Sequence, residues 1–345
     1  MRIAVVNNTV PFLAGGAEHL AHALTAKLNE FGHEAHSVRI PFSWEPPSRI
    51  VDSMLACRLL RLPKVDRVIA LKFPAYYVPH ENKVLWLLHQ FRQAYDLWGT
   101  DLQGLPSTPD GTAIRDAVRE ADNVHLRNVR KIFTNSRVTS DRLQSFNGID
   151  SEVLWPPLLS TSHLSCQSFE DFVFYPSRVN AAKRQLLAVE SMRHVKVPGR
   201  LILAGKGEDP AEDARIDSAI RRHNLEDRVV WERTFISEER KADYLSRAAG
   251  TLYIPYDEDS YGYVTLESYF SRKPVITCSD SGGTDVLVKD GVTGLVASPD
   301  PAGIAAQIEK VLGDRSKARA MGQAGYELVQ AMNITWDHVV RRLTE

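Results

Sequence analysis

The sequence predicts an α/β protein built from two doubly wound parallel-sheet domains, and three observations predict it. Short β-branched runs alternate with amphipathic stretches, the alternation breaks in a Pro-, Ser- and Thr-rich stretch from Pro156-Pro157 to Ser168, and it then restarts. The length of 345 residues is the third, since a single core stops growing at roughly 250 to 300 residues.

In the first half, strands are expected at Ile3 to Val6, Glu34 to Ile40, Arg67 to Leu71, Val84 to Leu88 and Lys131 to Thr134. Between the first two, Leu20, Leu24, Leu28 and Phe31 recur at three- and four-residue spacing, which predicts a helix over Glu18 to Phe31 with one apolar stripe and Gly32 as its stop. The second half gives strands at Phe172 to Tyr175, Leu201 to Ala204, Val229 to Trp231, Gly250 to Ile254, Val275 to Thr277 and Gly294 to Val296. Asp300 can cap a helix that starts at Pro301 and buries Ile304, Ile308, Val311 and Leu312. The expected division is therefore 1–160, 161–325, and a terminal segment 326–345 whose last helix holds Thr335 to Leu343.

Composition narrows the function. A hydrophobic fraction of 43% with 25% charged residues is that of a soluble globular protein, with apolar runs too short to span a bilayer. A net charge of −1 offers no general attraction for nucleic acid. The start, Met1 to Val6, reads as a strand without the apolar region and small-residue cleavage site of a secretory signal, so a cytoplasmic location is expected. Cys57, Cys166 and Cys278 are odd in number and scattered, which suggests neither a disulfide framework nor a zinc site. Arg119, Arg127 and Arg130, within Arg115 to Lys131, could touch anionic lipid at the inner membrane face; an ordinary surface helix is the favoured account, because its apolar face is thin.

Doubly wound sheets bind ligands at the carboxyl ends of their strands, so four strand-end loops carry the chemical reading. Phe12-Leu13-Ala14-Gly15-Gly16-Ala17-Glu18 puts paired glycines before a helix, where the backbone can approach a phosphate; it lacks the Lys-Ser/Thr of a P-loop. Ser177 to Arg184 places Arg178 and Lys183 where cations could hold a diphosphate, against the plainer alternative of a solvated basic helix start. Gly205-Lys206-Gly207 is a turn against which a nucleotide could lie. The most informative is Asp257 to Glu267, in which Asp259 and Glu267 bracket Gly262 and a helix start. Carboxylates so placed suit sugar or ribose hydroxyls, and the N–H groups of Tyr263 and Val264 suit phosphate. Gly282-Gly283 forms a further turn.

Together these segments resemble the retaining glycosyltransferase family 4, whose two-domain architecture is termed GT-B, over nearly the whole chain. The family's acidic motif is Glu, seven residues, Glu; here Asp259 stands first, with Glu258 beside it as a substitute, and Glu267 is intact. The resemblance implies that Gly15 and Gly16 lie against the donor phosphate, that Arg178 and Lys183 bind the diphosphate, and that Gly205, Lys206, Gly207, Gly262, Tyr263 and Val264 line the donor. It implies further that Glu267 holds the ribose hydroxyls, that Asp259 contacts the transferred sugar, and that His89 in Leu88-His89-Gln90 is the active-site histidine. The implied activity is transfer of a hexose from a UDP- or GDP-linked donor to a glycan or lipid-linked acceptor, with retention, without metal and without a cofactor beyond the donor itself.

Three alternatives share the architecture. A sugar-nucleotide epimerase would release products without an acceptor, a phosphorylase would need pyridoxal phosphate on a lysine, and a binding subunit that has lost catalysis would fit Asp259 in place of glutamate. Asp257-Glu258-Asp259 also resembles a metal-chelating Asp-any-Asp signature, less favoured because the run sits late in a second α/β domain. Tyr76, Tyr77, Tyr95 and Trp98 could stack on an acceptor sugar or equally be core.

Overall fold

A computed structural model describes residues 1–10 and 15–345; Phe12, Leu13 and Ala14 of the glycine loop lie outside the described residues. The chain forms two compact units, Met1–Leu159 with Ile334–Glu345, and Ser160–Asn333.

The first unit runs β1 (Arg2–Thr9), α1 (Gly16–Glu30), β2 (Glu34–Pro41), α2 (Arg49–Leu59), β3 (Arg67–Ala70), β4 (Lys83–Leu87), α3 (Pro109–His125), β5 (Lys131–Thr134), α4 (Arg137–Asn147) and β6 (Glu152–Val153). All six strands are parallel, in the order β2-β1-β3-β4-β5-β6. Period-two alternation along β1 sends Ala4 and Val6 into one core with Val68, Ala70, Leu85 and Leu87, and Ile3 and Val5 into another with Leu20, Leu24 and Leu28 of α1. Both faces are covered, which is why these strands read as nearly unbroken apolar runs.

The second unit continues with β7 (Phe172–Pro176), α5 (Gln185–Met192), β8 (Arg200–Ala204), α6 (Pro210–Arg222), β9 (Val229–Glu232), α7 (Glu238–Arg247) and β10 (Gly250–Leu252). It closes with α8 (Tyr263–Phe270), β11 (Val275–Cys278), β12 (Gly294–Ala297), α9 (Pro301–Gly313) and α10 (Arg315–Ala331). Its parallel sheet has the order β12-β11-β10-β7-β8-β9. Asp300 caps α9, its carboxylate accepting from the Gly303 N–H at 2.8 Å, and Ile304, Ile308, Val311 and Leu312 are buried. The expected two doubly wound sheets are therefore present.

The chain then returns to the first unit. The second unit reaches Asn333, past the expected boundary at 325, because α10 runs on to Ala331 and Phe270 of α8 meets Tyr326 edge-on at 6.1 Å. The last helix, α11 (Trp336–Thr344), packs Trp336, Val339, Val340 and Leu343 into the α1 side of the first core. No helix among the described residues is long and apolar enough to cross a membrane.

Candidate functional site in the second unit

Strand order decides where a ligand can bind. In the second sheet the chain leaves β7 in one direction to β8 and β9, and in the other to β10, β11 and β12. Loops after β7 and β10 diverge at this switch point, the place where open α/β sheets bind ligands at the carboxyl ends of their strands. Backbone hydrogen bonds bind the loops of this edge together. Val179 N–H donates to the Lys206 carbonyl and Glu208 N–H to the Val179 carbonyl, both at 3.0 Å, and Tyr256 N–H donates to the Ala182 carbonyl at 2.8 Å. Asp257 N–H reaches the Asp280 carbonyl at 2.9 Å, and Gly283 N–H the Glu258 carbonyl at 2.8 Å. All four sequence-predicted segments of this unit thus share one edge.

Glycines make the close approaches possible. A Cβ on Gly205 would lie 1.8 Å from the Ser177 carbonyl oxygen, and one on Gly207 2.0 Å from an Asp213 carboxylate oxygen. Gly262 has a φ of +73° and no room for a side chain, since a Cβ would sit 2.3 Å from the Tyr253 ring. It precedes α8, whose first turn has no side-chain cap, so Tyr263 and Val264 present their N–H groups at a helix start.

Arg178 and Lys183 each have an anionic partner. Lys183 closes a single helical turn capped by the Asn180 side chain; its ammonium pairs with Glu258 and lies 3.3 Å from the Tyr253 hydroxyl. Tyr253 donates in turn to Glu258 at 3.1 Å. Arg178 pairs with Glu208, which also accepts from Asn180 at 2.7 Å. The basic stretch is thus a loop, with α5 starting only at Gln185, and not a solvated helix start. Lys206 is exposed on its turn.

Glu267 is buried on α8 and accepts from Lys241 of α7 at 2.6 Å. Burial pushes its carboxyl above the usual range, and Lys241 opposes the shift. Asp259 is partly exposed on the loop that Gly282 and Gly283 underlie: a Cβ on Gly283 would come within 3.1 Å of the Asp259 carbonyl oxygen. Among the described residues no three His, Cys, Asp or Glu side chains converge as a metal site. Sequence reading did not single out Tyr253, Lys241 or the Arg184–Asp280 pair, bridged at 2.8 Å. Tyr253 closes a strand end beside Gly262, a position that could have signalled it; the two ion pairs join residues 26 and 96 apart, and no local pattern encodes them.

In the first unit the switch point falls between β1 and β3. The Gly15 N–H donates to Glu18 at 3.0 Å, and Glu18 accepts from Lys72, just past β3, at 2.9 Å. Gly16 opens α1. His89 follows β4 and is partly exposed; its Nδ1 lies 2.7 Å from the Gln90 carbonyl oxygen. A carbonyl can only accept, so Nδ1 carries the hydrogen and Nε2 of the neutral ring is left as an acceptor. Tyr76 and Tyr77 are fully buried and Tyr95 nearly so, which assigns them to the core. Trp98 is covered by Arg115, whose guanidinium lies 4.7 Å from its ring centroid. Of the basic stretch, Arg127 donates to the Asn147 carbonyl at 2.9 Å and Arg130 to Asn82 at 3.2 Å, so both are employed within the unit.

Residues 167–328 match the family of glycosyl transferases group 1. This segment belongs to the group 1 glycosyltransferases. A D-inositol 3-phosphate glycosyltransferase of Nocardia farcinica is 35% identical over 100 residues, which are 29% of this chain and 22% of that protein; the chain thus spans about a fifth of the length of that curated relative. Across nearly the whole length the fold is shared with two solved structures. Sucrose-phosphate synthase from Thermosynechococcus elongatus superposes with a TM-score of 0.78 at 20% identity, covering 99% of this chain and 97% of that one. Anabaena HepE in complex with UDP-glucose gives 0.74 at 13% identity, covering 100% and 98%. The architecture is therefore the GT-B type expected from the group 1 segment.

Proposed function

We propose that this protein is a retaining glycosyltransferase that moves a hexose from a UDP- or GDP-linked donor to a hydroxyl of a glycan or lipid-linked acceptor. The observation that carries the reading is the second unit's switch-point edge, where Lys183, Arg178, the Gly205–Gly207 turn, the uncapped start of α8 and Glu267 gather within a segment of group 1 sequence. A solved relative of the same fold holds UDP-glucose.

In this reading the diphosphate exchanges places with the carboxylates now paired to Lys183 and Arg178. The two cations and the N–H groups of Tyr263 and Val264 then stabilise the charge that develops on the leaving phosphate. Glu267 accepts from the ribose hydroxyls, and Asp259, with Glu258 once released, from the hexose. The acceptor hydroxyl attacks the oxocarbenium-like carbon on the face the diphosphate leaves, and the departing phosphate takes its proton. His89 of the first unit is the catalytic histidine in this reading, with Nε2 as its accepting atom. No metal takes part, and no cofactor other than the donor is needed.

The test is thermal stabilisation by UDP, GDP, ADP and their sugar conjugates, with and without magnesium, in the wild type and in Lys183→Ala. Stabilisation by one nucleotide, independent of magnesium and lost in the variant, supports the donor site. An indifferent protein sinks it. Proton spectra of the first-formed product settle retention through its anomeric coupling.

A further inference from the structure

The first unit carries a polar network that no part of the donor chemistry uses. At its centre is Asp122 of α3, fully buried. Its Oδ1 accepts from Tyr76 at 2.8 Å and from Tyr77 at 2.6 Å, and its Oδ2 accepts from Tyr95 at 2.8 Å. An isolated buried carboxylate loses its hydration, which disfavours the charged form. Burial raises Asp122 to about 6, with the three hydroxyls opposing the rise. Three converging donors are more than packing alone explains, because three phenylalanines around a leucine would fill the same volume with no buried charge.

The network has a direction. A tyrosine hydroxyl has one hydrogen, and Tyr95 gives it to Asp122, so its oxygen can only accept from any other neighbour. That neighbour is Asn147 at the end of α4, whose Nδ2 lies 3.3 Å from the Tyr95 oxygen and 2.7 Å from Asn123 Oδ1. With both amide hydrogens committed, Asn147 turns its Oδ1 to the Gln90 side-chain amide, which donates to it. Gln90 and Asn147 are each about nineteen-twentieths buried. Gln90 is in turn the residue whose backbone carbonyl holds Nδ1 of His89 at 2.7 Å. The charge on Asp122 thus fixes the donor and acceptor sense of every link up to the Gln90 side chain, and the Gln90 carbonyl, which can only accept, sets the histidine.

We infer that Asp122, Tyr95, Asn147 and Gln90 are positioning residues for His89: the network pins the Gln90 side chain and with it the backbone carbonyl that holds the imidazole in place and in the tautomer that leaves Nε2 bare. None of the four touches substrate in this assignment. The inference rests on the proposed function only for what His89 does, not for how it is held.

The experiment reads the ring directly. Long-range proton–nitrogen spectra of histidine-labelled full-length protein near neutral pH separate the two tautomers, and the His89 signal is assigned by its loss in His89→Gln. Wild type is expected to show one tautomer with Nε2 unprotonated, and Asn147→Leu and Tyr95→Phe a mixture of the two. Tyr95→Phe removes a single hydroxyl from a packed ring and serves if Asn147→Leu fails to fold. In turnover, Tyr95→Phe is expected to lose roughly tenfold in kcat with the donor KM little changed, as loss of orientation without loss of binding predicts. A wild-type His89 spectrum in Tyr95→Phe, even with lowered melting temperature, overturns the inference, because a purely structural role moves stability and leaves the tautomer alone. Full activity in His89→Gln strikes instead at the proposed role of the histidine, while the spectral result stands.

Discussion

Lys183 and Glu258 form an ion pair at the second unit's switch point, with the Tyr253 hydroxyl 3.1 Å from the same carboxylate. The pair occupies the cation that a donor diphosphate would need, so the two anions compete for one ammonium. Glu258→Gln should therefore tighten the binding of a nucleoside diphosphate about two- to fivefold by titration calorimetry. Lys183→Ala should weaken it roughly 10- to 100-fold, the loss of a charge-assisted contact. If Glu258→Gln binds the nucleotide less well than wild type, Glu258 contacts the ligand instead of competing with it.

Gly262→Ala should fail for two physical reasons at once. The φ of +73° strains any side chain, and the new Cβ would meet the Tyr253 ring at 2.3 Å. Strain alone costs about 1 kcal/mol. Pushing Tyr253 aside also disturbs its bond to Glu258 and the start of α8. We expect a lowered melting temperature together with lost nucleotide stabilisation. Gly291→Ala is the control: its φ of +70° is similar, and nothing lies within 4 Å of the added carbon. That variant should lose a little stability and keep the nucleotide response.

Local rules made the framework legible. Alternating apolar runs marked the strands, Gly32 and Asp300 marked helix ends, and the glycine turns marked the strand-end loops, since each depends on residues a few positions apart. The candidate site was legible as a set of loops and illegible as a set of partners. Glu258 read as a sugar ligand, yet its carboxylate sits on Lys183, 75 residues away in sequence. Tyr76 and Tyr77 read equally as a stacking platform, and only the burial of Asp122, 46 and 45 residues further on, makes them hydrogen-bond donors. Ion pairs and networks of this kind follow from topology, because strand order sets which loops meet, and strand order is not written in any single segment.

Asp122 makes the stability of the protein depend on pH in a definable window. Its carboxyl is raised from 3.8 to about 6 in the folded state, so between those values the folded protein binds the proton that the unfolded chain has released. The contribution is fully present below the unfolded value and is lost as pH rises through the folded one. Two pKa units correspond to about 3 kcal/mol. The stability of wild type relative to Asp122→Asn should therefore fall by an amount of that order between pH 4 and pH 6 and be flat above pH 7, as read by denaturant unfolding. A difference that rises with pH would mean that the three tyrosine donors outweigh burial.

The terminal helix should be indispensable to the first unit. Trp336 donates its indole N–H to the Leu158 carbonyl at 2.8 Å and meets Trp86 edge-on with ring centroids 6.4 Å apart. Trp86 is fully buried and donates to the Leu154 carbonyl at 2.9 Å, so the two indoles tie the segment after β6 to the sheet and to α11. Removing a buried tryptophan side chain costs about 3 to 5 kcal/mol, and Leu158 would lose its donor as well. Trp336→Ala should consequently unfold the first unit at lower temperature, seen as loss of near-ultraviolet dichroism, while nucleotide binding by the second unit persists until its own transition. Trp336→Phe keeps the edge-on contact without the N–H and should fall between wild type and alanine; a phenylalanine variant as unstable as alanine would assign most of the effect to the Leu158 hydrogen bond.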